Sequence, residues 1–239
     1  MDSSIASYVL QYSGYLIEGG LLLYLAWTKQ WKKQRGIIFY LTALLVAELG
    51  RAYAGCEYGL SSRQYFYVYW CTDFPLVLST FLLVWLFFRR ACCQEERMWR
   101  YIRLVLALAV LLVAGISAAT LSSNQHSLFS FFTVEFNQNL YFTCLVLNTL
   151  LYILLQQIQS TDEQLGLLVC GVGVQFAGPA AALALDHLTG GEQFAQSLVP
   201  SIMRLCTLGM LLVWGYAITH VKASKVVSRN PVLAEIHVD

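Results

Sequence analysis

Apolar runs of roughly 20 residues follow one another along the whole chain, separated by short polar connections, and a run of that length crosses the hydrocarbon core of a bilayer as a helix. Nothing else in the sequence limits the fold so strongly. Lipid offers no hydrogen-bond partner to the backbone, so such runs must satisfy their own N–H and C=O groups, as helices do. The pattern predicts an all-α, seven-span bundle, with helices over Ile5–Trp27, Gly36–Ala54, Gln64–Phe88, Trp99–Thr120, Leu128–Leu155, Gln164–Leu185 and Gln196–Thr219. Composition agrees with this, because 58% of residues are hydrophobic and only 12% are charged, about half the charge of an ordinary soluble domain.

The connections carry the orientation signal. Lys29, Lys32, Lys33 and Arg35 follow the first span; Arg89, Arg90, Arg97, Arg100 and Arg103 surround the third connection; Lys222, Lys225 and Arg229 follow the last span. The alternate connections, Glu57–Arg63, Ser122–Ser127 and Asp186–Glu192, contain Arg63 as their single basic residue. The positive-inside rule then places the amino terminus outside and the carboxyl terminus in the cytoplasm of a plasma or inner membrane. Met1-Asp2-Ser3-Ser4 lacks the positive start of a cleavable signal peptide. Residues 1–220 form the expected transmembrane domain, and 221–239 a cytoplasmic tail too short to bury a core of its own. Gly19-Gly20, Gly171 with Gly173, and Gly178-Pro179 suggest close helix packing and a kink.

Six ionisable residues interrupt the spans: Glu18, Glu48, Arg51, Asp73, Glu135 and Arg204. A charge at the bilayer centre costs at least ~2.5–3.5 kcal/mol, so such residues pair inside the bundle or line a wet cavity. At 1.5 Å per residue, Glu48, Arg51, Asp73, Glu135 and Arg204 all fall roughly 5–15 Å from the outer boundary, with Glu18 deeper. That common depth suggests one polar layer. Tyr65 and Tyr69 share the face of Asp73, and Gln138 and Asn139 extend the stripe of Glu135. Two readings compete. In one, the acids and arginines are structural ion pairs. In the other, Glu48, Arg51, Tyr65, Tyr69, Asp73, Glu135, Asn139 and Arg204 line a ligand-binding pocket open to the outside. Three acids against two arginines leave a surplus carboxyl, the kind of group that a general acid or a proton-coupled carrier uses.

Several chemistries lack their residues. All five lysines, Lys29, Lys32, Lys33, Lys222 and Lys225, lie outside the spans, so a retinal Schiff base has no buried amine. His126, His187, His220 and His237 lie in loops or the tail, which speaks against a metal site or a membrane haem, and no cofactor is expected. No basic stripe with interleaved aromatics points to nucleic acid. Cys56 and Cys71 stand near one surface and are candidates for a disulfide, Cys92-Cys93 is a juxtamembrane pair, and Cys144, Cys170 and Cys206 suit small apolar packing positions.

The run Tyr65-Phe66-Tyr67-Val68-Tyr69-Trp70, continued through Phe87-Phe88-Arg89-Arg90, resembles a span of small seven-helix bacterial membrane proteins of uncharacterised function. The length, the orientation and an acid on an early span, Glu48, are also similar to the small integral-membrane terpene cyclases. That resemblance implies an acid on a late span too, where this chain carries Arg204. The leading expectation is a receptor-like or accessory membrane protein that binds a small or amphipathic ligand, or docks a partner membrane protein, within surrounding lipid. The alternatives are an intramembrane enzyme acting on a lipid or isoprenoid with Glu48 or Asp73 as general acid, and a proton-coupled carrier.

Overall fold

The computed structural model describes residues 2–28, 34–59, 62–93, 95–121, 128–158, 162–189 and 193–221. These residues form seven α-helices: α1 (Asp2–Trp27), α2 (Arg35–Tyr58), α3 (Arg63–Ala91), α4 (Glu96–Leu121), α5 (Leu128–Gln157), α6 (Glu163–Thr189) and α7 (Gln193–Thr219). Each expected span lies within one helix, or within a residue or so of it, and no strand occurs among the described residues. Five helices, α2, α3, α4, α5 and α7, are long and apolar enough over described residues to cross a membrane.

Local chemistry sets where the helices begin and end. The Ser62 hydroxyl accepts the Tyr65 N–H at 3.0 Å and starts α3, satisfying a donor that the first turn leaves open. The Asp162 carboxylate accepts the Leu165 N–H at 3.2 Å and starts α6. Gly59 closes α2 with φ of 76°, in the left-handed region that glycine enters without penalty.

The helices close into a ring in the order α1, α2, α3, α5, α6, α7 and back to α1. α4 stands outside this ring against α5 and α3. The tightest seam joins α6 to α7. A Cβ on Gly171 would lie 2.6 Å from the Trp214 ring, and one on Gly178 would lie 3.2 Å from Cys206, so small residues let these backbones approach. Trp214 is fully buried and donates its indole N–H to the Leu168 carbonyl at 3.0 Å. The Gly19-Gly20 pair behaves otherwise. A Cβ at either position would meet nothing within 4 Å, so the expected close packing of α1 at those glycines does not form.

Cys56 and Cys71 are free thiols and both exposed, so they are not bridged. Cys144 is buried and Cys206 half-buried as packing residues, whereas Cys170 is exposed. The five lysines, with His126 and His237, lie outside the described residues.

Candidate functional site

The best-defined polar group joins α2, α3 and α5. Arg51 donates from Nη2 to Asp73 Oδ1 at 2.8 Å and from Nε to the Thr72 hydroxyl at 3.0 Å. The guanidinium lies 4.2 Å from the centroid of the Tyr69 ring, a cation–π contact that gains strength where water is scarce. The other Asp73 oxygen accepts from Asn137 Nδ2 at 3.0 Å. Thr72 turns its hydroxyl toward the Val68 and Tyr69 carbonyls, 2.9 Å from each. Asp73 is buried and each of its oxygens is already accepting. That is the geometry of a structural ion pair, with the remaining lone pairs and protons taken up by neighbours. Tyr65 lies tilted against Tyr69, with ring centroids 6.4 Å apart, and extends this group toward the start of α3.

A second group joins α1, α2 and α7. Glu48 is half-buried and lies within electrostatic reach of both Arg51 and Arg204. Tyr15 of α1 feels Glu18, Glu48 and Arg204, and its hydroxyl accepts from Gln11 Nε2 at 2.6 Å. Glu18 is fully buried, and neither carboxylate oxygen has a hydrogen-bond partner among the described residues. Its electrostatic neighbours include Glu48 and the buried Tyr40 of α2. Tyr40 bonds to Thr80 of α3 and packs edge-on against Trp214, with centroids 5.6 Å apart. Tyr141 of α5 feels Asp73, Tyr40, Arg51 and Tyr69, and it therefore connects the two groups. Burying a carboxylate without a donor is costly, so Glu18 is the polar residue that packing explains least.

The expected pocket residues distribute over these groups. Arg51, Asp73, Tyr65 and Tyr69 come together in the first, and Glu48 and Arg204 belong to the second. Glu48 and Arg51 share a helix face, yet Arg51 gives its hydrogen bonds to Asp73 and Thr72 across the interface with α3. Asn139 turns to the other side of α5, where its Nδ2 lies 3.5 Å from Ser117 of α4. The side chains of Glu135 and Gln138 lie outside the described residues. Asn137, Thr72, Tyr40 and Tyr141 belong to the polar interior without having been singled out, whereas Tyr15 follows from its i+3 spacing to Glu18 on α1. Asn137 stands two residues before Asn139, and its roll toward α3 leaves no mark in the sequence. Among the described residues, no three His, Cys, Asp or Glu side chains gather as a metal site.

Compared with known proteins, the chain matches no family model, no curated protein and no solved structure.

Proposed function

We propose that all seven helices cross a plasma or inner membrane, amino terminus outside and carboxyl tail in the cytoplasm, and that the bundle binds a small or amphipathic ligand in its outer half. The protein then acts as a receptor-like or accessory membrane protein. The orientation rests on the basic connections. On that orientation, at 1.5 Å per residue, Arg51 and Asp73 lie about 10–15 Å below the outer helix ends, and Glu18 about 24 Å below.

One observation carries the binding reading: three helices bring Tyr15, Glu48 and Arg204 within electrostatic reach of each other, half-buried rather than sealed, directly above the partnerless Glu18. These groups suit a polar head with a hydrogen-bond donor for the carboxylates and an acceptor for Arg204. Arg51 and Asp73 form the rigid wall beside it. The commitment of both Asp73 oxygens counts against that residue as a general acid and leaves Glu48 to any intramembrane enzyme.

The test is to purify the full chain gently from its native membrane and identify retained small molecules by mass spectrometry, alongside Glu48→Gln and Arg204→Ala. The binding reading expects a molecule that the parent retains and both folded variants lose. Equal retention by the variants defeats it, and release of a chemically altered molecule favours the enzyme.

A further inference from the structure

α4 differs from every other helix in how it is placed. It stands outside the ring, against α5 and α3 only. Its buried face is Leu106, Val113 and Ser117. At 100° per residue, Arg97, Leu104 and Leu108 lie about 180° round the helix from that face. Arg97, Arg100 and Arg103 are all exposed, and no acidic partner engages them among the described residues. Below them Leu104, Leu108 and Leu111 are 60%, 55% and 67% exposed.

The register of these residues is specific. Arg97, Arg100, Leu104, Leu108 and Leu111 fall within an arc of about 80°, with Arg103 about 60° to one side. Arg97 and Arg100 are i,i+3 neighbours, whose Cβ atoms stand about 5–6 Å apart, close enough to share one phosphate. From Arg100 to Leu111 the helix rises about 16 Å, close to the half-thickness of a hydrocarbon core about 30 Å deep. Tyr101 beside them is 74% exposed, as an interface aromatic is. Trp99 packs edge-on against Trp85 of α3 with centroids 5.9 Å apart, which fixes the roll of α4 and keeps the arginines turned outward.

We infer that this face of α4 is a binding site for an anionic phospholipid, with the headgroup phosphate held by Arg97 and Arg100, flanked by Arg103, and one acyl chain lying along Leu104, Leu108 and Leu111. Charge decides against a second copy of the chain on the same face. A symmetric contact through α4 sets three arginines against three more, with Glu96 the one acid between them round the helix, and that excess of like charge in apposition opposes association. A lipid supplies the opposite charge and the matching apolar length together. The site is separate from the interior polar groups and stands whether or not they bind a ligand.

The test uses the full-length protein in nanodiscs made of equal parts phosphatidylglycerol and phosphatidylcholine, with retained lipids counted by native mass spectrometry. The parent is expected to retain phosphatidylglycerol in excess. Each Arg→Gln change at 97, 100 or 103 should lower that retention about fivefold, and the triple variant about a hundredfold. The triple Arg→Lys variant should keep most of the excess, and Arg63→Gln, at the opposite membrane face, should change nothing. If the triple Gln variant does not fold, raising the salt concentration on the parent takes its place, and the excess should fall as the headgroup contact is screened. An undiminished excess in the triple Gln variant or at high salt overturns the site. So does efficient disulfide cross-linking between copies through Leu108→Cys in phosphatidylcholine alone, which would show that the face is covered by protein.

Discussion

Two Arg–Asp pairs of the same length, 2.8 Å each, hold opposite ends of the bundle, and they do different things. At the proposed cytoplasmic end, Arg90 of α3 reaches Asp162 through two hydrogen bonds of 2.9 and 3.0 Å and Gln164 through a third of 3.1 Å. Gln164 passes the connection to α7 by donating to the Ala217 carbonyl at 3.1 Å. The ends of α3, α6 and α7 are thereby tied, next to the close seam at Trp214 and Gly171. Toward the other end, Arg51–Asp73 is as well satisfied, but it adjoins Glu48, whose group runs on through Tyr15 and Arg204 to Glu18, where a carboxylate is left without a donor. Pro75, Pro179 and Pro200 lie inside the unbroken helices α3, α6 and α7 on that same side, and each removes a backbone hydrogen bond from its helix. One pair thus closes on itself at the base, while the other stands above a carboxylate that packing has not used, Glu18, which lies deeper in the bundle toward Tyr40 and Trp214. The contrast teaches that a buried ion pair is not by itself the mark of a site. The mark is the uncompensated group beside it.

Substitutions can break or sharpen this contrast. Asp73→Ala should have the largest effect, because it leaves the Arg51 guanidinium inside the bundle without its carboxylate, a loss of about 3–5 kcal/mol. Unfolding of the detergent-solubilised protein by denaturant measures it, and a loss below about 1 kcal/mol, the range of exposed pairs, would put this pair in effective contact with water. Glu18→Leu should act in the opposite direction, raising stability by about 1–3 kcal/mol, since it removes a buried polar group that no donor satisfies. The same variant should release whatever the parent retains. A destabilised Glu18→Leu protein would show that Glu18 is engaged after all and erase the distinction drawn here. Asp162→Ala should cost about 1–2 kcal/mol, combining an ion pair near the helix ends with the cap on α6. Its effect should shrink as salt is raised while that of Asp73→Ala does not. Asn139→Ala should be nearly silent, within about 0.5 kcal/mol, and should leave ligand retention unchanged, because its amide meets Ser117 of α4 at 3.5 Å and takes no part in the interior groups. Loss of the retained molecule on Asn139→Ala would move the site toward α4.

The helices were legible in the sequence, each expected span falling inside one helix. Asp73, Arg51, Tyr65 and Tyr69 meet as their i+4 spacing on α3 and their common depth suggest. The roll of each helix was not legible. The stripe on α5 runs from Glu135 to Asn139, yet Asn137 faces Asp73. On α1, Glu18 emerges as the partnerless acid although its depth set it apart from the layer. A soluble helix shows its inward face by an apolar stripe, but a spanning helix is apolar on all sides, so its phase is missing from the pattern. The pairing of Arg90 with Asp162 was likewise invisible, since the two stand far apart in sequence and belong to different connections.

By itself the sequence determined that this chain is a bundle of long helices and how far along its own helix each charge sits, because long apolar runs satisfy their backbone groups as helices and each residue adds a fixed rise. Only the tertiary structure decided which charge meets which. Partner choice depends on how neighbouring helices are rolled and ordered around the ring, and that is fixed by contacts such as Trp214 in the notch of Gly171, between residues on different helices.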